Sequence, residues 1–239
     1  MNVGFYSART GLIATQQGLD VISNNIANVE TIGFKALRPS FSDLLYTSQQ
    51  AQHPEAQTGH GTKLEKTDLM FSQGQLMMTK RSLDFAIPND GLFAVQDAGG
   101  QVKYTRDGTF FIKQNGTQWN LVNSQGMNVL DYNKQPIAIT YGADGEIDYN
   151  AVHDAVGVFK FDNPYGLSPV GSNLFSQTAE SGEAIADRKQ DKLSGALEMS
   201  SVEVGEQMIK VIELQRAFQL NSKMVQTADE IETIVNNLR

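Results

Sequence analysis

The chain has no cysteine among its 239 residues, and this absence excludes several classes of protein. A disulfide framework, a thiolate zinc site, an iron–sulfur cluster and a cysteine nucleophile all need that residue. Histidine is scarce too, since His53, His60 and His153 are the three copies, and no two have the spacing of a helical metal-binding pair. The Gly-x-Ser-x-Gly motif of a nucleophilic serine is also missing. We therefore predict no catalytic residue, no cofactor-binding residue and no metal ligand.

Positive charge and long apolar runs are equally sparse. Lys and Arg number 19 against 27 Asp and Glu, a formal net charge of −8. This balance argues against a nucleic-acid partner, which would need a basic face. No apolar run approaches the roughly 18 residues of a membrane span, and the first residues lack the basic and apolar regions of a cleaved signal peptide. Taken alone, these features predict a cytoplasmic protein without a membrane span.

Residues 3–29 are predicted to form one amphipathic helix. Apolar residues recur every seven positions and again three residues later, which is the a/d pattern of a coiled coil. They are Phe5, Leu12, Leu19 and Ile26, followed at each step by Ala8, Thr15, Ile22 and Val29. Gly11 and Gly18 lie off this seam, and each lowers the stability of the isolated helix by about 1 kcal/mol. The helix is therefore expected to need a partner.

Residues 202–239 are predicted to form a longer helix with two adjacent apolar stripes. One stripe comprises Leu214, Ala217, Asn221, Met224, Ala228, Ile231, Val235 and Leu238, and the other comprises Val204, Met208, Val211, Gln215, Phe218 and Val225. A helix with two stripes has more than one neighbour. It is either one buried helix of a bundle or, as we favour, half of a coiled coil between the chain ends that leaves a face for other molecules.

The hydrophobic period changes to that of β-strands over residues 70–190. Short apolar runs at 93–95, 102–104, 109–112, 119–122 and 155–161 alternate with Asp-Gly, Asn-Gly and Gly-Gly pairs, which are typical of hairpin turns. The sequence therefore predicts an α+β protein, in which an all-β central domain is inserted between N- and C-terminal helices that pair as a coiled coil. The predicted divisions are a helix in 1–35, a linker or extended loop in 36–69, the β domain in 70–190 and a helix in 191–239.

The acidic residues of the middle region are weak candidates for metal binding or catalysis. Asp144, Glu146 and Asp148 lack the spacing of a calcium loop and are better explained as flanks of a hairpin turn. Three other aspartates of this region, at 84, 90 and 107, have no sequence motif but would form a carboxylate pair if two of them met in space. The alternative function is therefore a sugar-binding or hydrolytic β domain on a helical oligomerisation stalk, marked by a concave pocket with two carboxylates.

Three groups of motifs resemble those of the bacterial flagellar rod and hook proteins. The N-terminal group is Ser-Asn-Asn-Ile-Ala-Asn at 23–28 and Thr-Ile-Gly-Phe-Lys at 31–35. The central group lies at 83–87, 90–93 and 104–108, and the C-terminal group at 195–198, 201–202, 206–208, 215–218, 221–223 and 227–229. The motifs follow the family's order and cover both ends and the centre. The length resembles that of a distal rod protein or of its close proximal-rod relative, and both stay open.

The resemblance implies a structural subunit of the flagellar rod, the shaft that transmits torque from motor to hook. Its expected partners are copies of itself in a helical tube, neighbouring rod and hook proteins, and the flagellar export apparatus. Its expected location is the basal body in the cell envelope, reached without a cleaved signal peptide. The family-motif residues are Asn24, Asn25, Ala27, Asn28, Thr31, Gly33, Phe34 and Lys35. The residues predicted to pair helices or subunits are Phe5, Leu12, Leu19, Ile22, Ile26, Val211, Leu214, Phe218, Asn221, Met224, Val225, Ala228, Ile231, Val235 and Leu238.

Overall fold

The computed structural model describes residues 3–48, 57–115, 118–139, 147–188 and 191–238. His53, Asp144 and Glu146, considered above, lie outside these ranges. The described residues contain three α-helices, α1 (Val3–Ala27), α2 (Tyr149–Ala155) and α3 (Val204–Asn237). All strand pairs among them are antiparallel. The predicted α+β class, with a β domain between two terminal helices, is confirmed.

The strands of the described residues are short. They are β1 (Leu37–Asp43), β2 (Tyr46–Ser48), β3 (Gln57–Gly59), β4 (Thr62–Leu69), β5 (Leu76–Met78), β6 (Phe85–Ala86), β7 (Leu92–Gln96), β8 (Val102–Thr105), β9 (Phe110–Asn115), β10 (Gln118–Asn123), β11 (Asn128–Val129), β12 (Val158–Lys160), β13 (Ser168–Gly171), β14 (Leu174–Ser176), β15 (Ile185–Ala186), β16 (Leu193–Ser194) and β17 (Ala196–Glu198).

The chain divides into two compact units, and each uses residues from near both chain ends. The helical unit comprises Met1–Ala27, Leu37–Met70 and Glu203–Arg239. The β unit comprises Asn28–Ala36 and Phe71–Val202. The residues that follow α1 therefore belong to the β unit, not to the helix that precedes them.

In the helical unit, α1 and α3 pack together as an antiparallel pair. Asn221 lies against Gly11, Leu214 lies against Gly18, and Gln207 is hydrogen-bonded to Asn25. Residues later in α1 therefore contact residues earlier in α3, and successive contacts are seven positions apart on each helix. A seven-residue repeat on both partners is the geometry of a coiled-coil seam.

Residues 36–69 differ from the linker or extended loop expected from the sequence. β1 pairs with β4 from Leu37 opposite Leu69 to Asp43 opposite Thr62, with an irregularity between Ser40 and Phe41. Both strands pack on α1. The sequence signal was weak because polar residues fill both strands and Pro39 interrupts the first, a residue that sheets accept at an edge.

In the β unit, one sheet holds nine strands. Seven follow the order β13-β14-β8-β7-β11-β10-β9, while β12 also pairs with β7 and β15 pairs with β12. Two further pairs, β16 with β6 and β17 with β5, bring the end of the unit's sequence back to its beginning. The buried core consists of Phe85, Ile87, Phe93, Val95, Phe110, Leu121, Val129, Ile137, Ile139, Val152, Val156, Val158 and Leu174.

Two of the glycine turns predicted from the sequence are confirmed, and one helix was not foreseen. Gly100 and Gly126 have φ of 80° and 81° between consecutive paired strands. Asp148 accepts hydrogen bonds from the backbone N–H groups of Asn150 and Ala151 and so caps α2. It therefore begins a helix rather than flanking a hairpin, and the strand expected at 155–161 begins only at Val158.

Within the described residues, none of the helices has the length and apolar character needed to cross a membrane.

Candidate functional site

A buried cluster of charges lies inside the β unit, built from three distant parts of the sequence. Lys35 follows α1, Arg106 follows β8, and Glu198 ends β17. Lys35 Nζ lies 2.7 Å from Glu198 Oε1, and Arg106 Nε donates to Oε2 of the same carboxylate. All three side chains are at most 4% exposed. One carboxylate thus joins two cations away from water.

The cluster also makes several hydrogen bonds to the backbone. Lys35 Nζ also donates to the Ser72 carbonyl at 2.8 Å, and Gly74 N–H donates to Glu198 Oε1 at 3.0 Å. The Arg106 guanidinium donates to the carbonyls of Ile87, Asn89 and Gly91. Its planar fork therefore holds the loop before β7, as a single-point ammonium would not.

Burial lowers the pKa of Lys35, and the nearby Glu198 carboxylate opposes that effect. Arg106 adds to the lowering because like charges disfavour each other. Buried ion pairs add little net stability, yet removal of one partner typically costs about 3–5 kcal/mol because a charge is left uncompensated. The cluster consequently specifies how the three segments fit together more than it adds to total stability.

Gly33 brings the N-terminal motif against the central motif. It has φ +66°, and a Cβ at this position would lie 2.6 Å from the Arg106 carbonyl carbon. Its N–H donates to the Glu198 carbonyl at 2.7 Å. A side chain is excluded both by the left-handed backbone and by the space, so glycine is required here.

A second junction lies in the helical unit, at the buried end of α1. Asn25 Nδ2 donates to the Leu37 carbonyl at 2.7 Å and to Gln207 Oε1 at 3.0 Å. Its Oδ1 accepts from Leu37 N–H at 2.8 Å. One side-chain amide therefore connects α1, β1 and α3.

The other family-motif residues lie around these junctions. Asn24 and Ala27 are exposed on the last turns of α1. Thr31 Oγ1 donates to Asn28 Oδ1 at 3.1 Å, within the turn that follows the helix. The Phe34 carbonyl accepts from Ser201 N–H at 3.0 Å, and Ser201 Oγ accepts from Ala36 N–H. The motif thus forms a folded turn bound to the segment after β17.

The predicted seam of α1 contains only part of the centre of the contact face. Its positions Ala8, Thr15 and Ile22 are buried, while Phe5, Leu12, Leu19 and Ile26 are partly buried. The buried positions outside that predicted seam are Gly11, Ala14, Gly18 and Asn25. The expectation that Gly11 and Gly18 lie off the seam is therefore wrong. Small residues let α3 approach closely, an effect that a search for large apolar residues misses.

The predicted residues of α3 separate into two groups. Val211, Leu214, Phe218, Asn221 and Val225 are partly buried and Ala228 is buried, whereas Met224, Ile231, Val235 and Leu238 are exposed. The register places Gly4 opposite Ala228, so the last turns of α3 extend past the first described residue of α1.

We call the exposed apolar side chains of the helical unit's two helices the outer apolar face. It consists of Val3, Tyr6, Ile13, Val204, Met208, Ile209, Ile212, Leu220, Met224, Ile231, Ile234, Val235 and Leu238. Single exposed apolar residues are common on proteins, but a set of this size is typical of an interaction surface. The end of α3 is the clearest part of it, with Leu238 81% exposed.

A cavity of about 290 Å³ in the β unit lies beside the charge cluster. Asp90 and Asp162 line it together with Lys35, Arg106 and Lys160, and its apolar walls come from Phe71, Phe159, Phe161, Leu92 and Pro164. Three cations accompany the two carboxylates, which differs from the isolated carboxylate pair of a glycosidase. Among the described residues, no group of three or more His, Asp or Glu is placed to hold a metal ion.

These features define a class of structural protein, in which the chain ends form an antiparallel helix pair with an exposed apolar face and the middle forms a β unit. Three family models match the chain. "Flagella basal body rod protein" matches residues 5–35, "Flagellar hook protein FlgE/F/G D1 domain" matches 86–153, and "Flagellar basal body rod FlgEFG protein C-terminal" matches 193–238. Each matched region supplies one member of the charge cluster.

Curated relatives match over almost the whole chain. The flagellar basal-body rod protein FlgG of Borreliella burgdorferi is 37% identical, covering 98% of this chain and 97% of the relative. FlgG of Bacillus subtilis is 35% identical, with 98% of each chain covered. The flagellar hook-basal body complex protein FlhP of Bacillus subtilis is 31% identical with the same coverage. The chain belongs to the flagellar basal-body rod proteins, a family of structural subunits, and the sugar-binding or hydrolytic alternative has no support.

Proposed function

We propose that this rod subunit assembles with copies of itself through the outer apolar face, and that the resulting helical tube transmits torque from the motor to the hook. The exposed end of α3 is the observation that carries the proposal. Ile231, Ile234, Val235 and Leu238 lie in water in the single chain, although burying each apolar side chain would contribute roughly 1.5–3 kcal/mol. A neighbouring subunit would cover them.

The construction of the helical unit supports a mechanical role. The helix pair is held by a seven-residue repeat of close contacts and by the Asn25 junction, so force along one helix reaches the other through packed side chains. In the β unit the charge cluster connects the segments before and after the central sheet. We infer that each unit resists deformation through these contacts, while the outer apolar face joins the subunit to its neighbours.

The proposed partners are copies of the chain, adjoining rod and hook proteins, and the flagellar export apparatus, with the basal body as the location. The names of the relatives support the location, since they are basal-body rod and hook-basal body proteins. The place along the rod is tested by labelling the subunit in isolated basal bodies. Density next to the hook would assign the distal rod, and density near the motor would assign the proximal rod.

The assembly surface is tested with Ile231→Asp and Ile234→Asp in the full chain. A charge on an exposed residue leaves the monomer folded, so circular dichroism should match wild type while electron microscopy shows no rods. Glu232→Gln, on the same turn but already polar, is the matched control and should assemble normally. Rods of normal length from both aspartate variants would show that the end of α3 is not an assembly surface.

A further inference from the structure

The β unit cannot be completed without residues from near the end of the chain. Glu198 lies 163 residues after Lys35 and 92 residues after Arg106, yet its carboxylate contacts both. The backbone around it is equally committed, since the Glu198 carbonyl accepts from Gly33 N–H and Met199 N–H donates to the Gln75 carbonyl. The last strands thus bind to the earliest segments of the unit.

The docked segment also supplies strand pairing and apolar burial. β17 pairs with β5 from Ala196 opposite Met78 to Glu198 opposite Leu76, and β16 pairs with β6. Ala196 and Leu197 are 0% and 4% exposed. Without this segment β5 and β6 would lose these hydrogen-bonding partners, and the residues of β6 are buried, where backbone groups need such partners.

The two cations make partial folding especially unfavourable. If the sheet closed before β17 docked, Lys35 and Arg106 would be buried without the carboxylate that contacts both, and Asp90, which lines the cavity beside them, would be the nearest remaining acid. An uncompensated buried charge is among the most destabilising features that a protein can contain. The chain avoids that state only if residues 28–36 and the loop held by Arg106 stay in water until Glu198 arrives.

We propose that folding of the β unit requires Glu198: the unit folds in one cooperative step when β16 and β17 dock, and it is unfolded until then. Folding of the β unit therefore requires a segment that lies in the last fifth of the sequence. The earlier parts of the β unit consequently stay unfolded while the chain is incomplete. The inference rests on contacts within the β unit and holds or fails independently of the proposed assembly surface.

Pulsed hydrogen exchange during refolding of the full-length chain tests the order of events. Peptides from β7 and β8 report formation of the sheet, and peptides covering 193–198 report docking of β16 and β17. Both sets should gain protection in a single phase with the same rate constant. Protection of β7 and β8 in an earlier phase than 193–198 would overturn the proposal, and this wild-type measurement needs no variant.

Glu198→Gln provides the second test because it keeps the shape of the side chain and removes its charge. A contact formed at the folding barrier changes the folding rate, whereas a contact formed afterwards changes the unfolding rate. We expect the variant to fold about tenfold more slowly or more, with little change in unfolding rate. Glu180→Gln, at an exposed acid of the same unit, is the control and should keep wild-type rates. An unchanged folding rate with faster unfolding in Glu198→Gln would show that the contacts of Glu198 form only after the folding barrier, which would overturn the proposal.

Discussion

Asn25 on α1 and Gln207 on α3 are joined by a 3.0 Å hydrogen bond between two buried side-chain amides, 182 residues apart in the sequence. Asn25 uses its other hydrogen bonds on both backbone groups of Leu37. The sequence identified Asn25 as a family-motif residue without a stated contact, whereas the structure shows it as the point where α1, β1 and α3 meet. A polar side chain at such a point fixes register because any shift would leave it unpaired.

Asn25→Ala should therefore weaken the helical unit strongly. It leaves the N–H and carbonyl of Leu37 and the amide of Gln207 without this partner, and buried groups without partners cost about 1–3 kcal/mol each. We expect a loss of roughly 3 kcal/mol in the free energy of unfolding, measured by urea denaturation followed by helical circular dichroism. Gln17→Ala on the exposed side of α1 is the control and should change stability little. Equal effects of the two substitutions would show that the hydrogen bonds of Asn25 do not stabilise the helical unit.

The glycines of α1 give a second prediction, because Gly18 lies in a close contact. A Cβ at Gly18 would lie 2.9 Å from Phe41 Cζ and 3.2 Å from Leu214 Cδ1. Gly18→Val should separate the helices and lower the unfolding free energy by about 1–3 kcal/mol, despite its better helix propensity than glycine.

Gly205 in the first turn of α3 is the matched control for this effect. Apart from its own turn of the helix, none of the described residues has an atom within 4 Å of a Cβ built there. Gly205→Ala should consequently be neutral or slightly stabilising in the same denaturation experiment. If Gly18→Val proved as stable as wild type, close approach would not explain the glycine.

The helices, the strands of the central sheet and the α+β class follow from sequence periodicity because each depends on residues close together in the chain. The charge cluster does not follow from it. Lys35 and Glu198 each lie within a recognisable motif, but no local pattern states that they pair. The prediction for the contact face of α1 found Ala8, Thr15 and Ile22 but missed Gly11 and Gly18. These glycines contribute by lacking a side chain, and a hydrophobicity pattern gives them no weight.

Arg106 yields a prediction about side-chain geometry rather than charge. Arg106→Lys keeps the positive charge near Glu198 but cannot reach the carbonyls of Ile87, Asn89 and Gly91 together. We expect the β unit to lose about 2–4 kcal/mol, seen as an earlier near-ultraviolet unfolding transition in urea.

Arg188→Lys is the control for this substitution, because Arg188 is exposed, where it donates to Asn133 Oδ1 and its guanidinium lies 5.7 Å from the ring centre of Tyr132. It should change stability little in the same experiment. If the β unit of the Arg106→Lys variant were as stable as that of wild type, the loop before β7 would not need the planar fork of the guanidinium.

The last prediction concerns alkaline pH and Lys192. Its Nζ donates to the carbonyls of His153 at 2.5 Å and Val156 at 2.7 Å, at the end of α2, and it lies 5.2 Å from the ring centre of Tyr132. Burial lowers the pKa of Lys192 from 10.5 to about 8, against the opposing attraction of Asp154. Between these two values the unfolded chain keeps a proton that the folded chain has released. The free energy of unfolding should therefore rise with pH across this window through Lys192, because stability rises wherever the unfolded state binds more protons.

Lys192→Met should remove that contribution and flatten the pH dependence between about pH 8 and 10 relative to wild type, as measured by urea denaturation at a series of pH values. The variant also loses the hydrogen bonds that cap α2, so the informative quantity is the slope with pH rather than the stability at any single pH. Lys113→Met, at an exposed lysine of the same unit, should keep the wild-type slope. If Lys192→Met and wild type showed parallel curves, the ammonium of Lys192 would not be desolvated at the end of α2. If the free energy of unfolding fell more steeply with rising pH in wild type than in the variant, the carbonyl contacts would outweigh burial and stabilise the protonated form of Lys192.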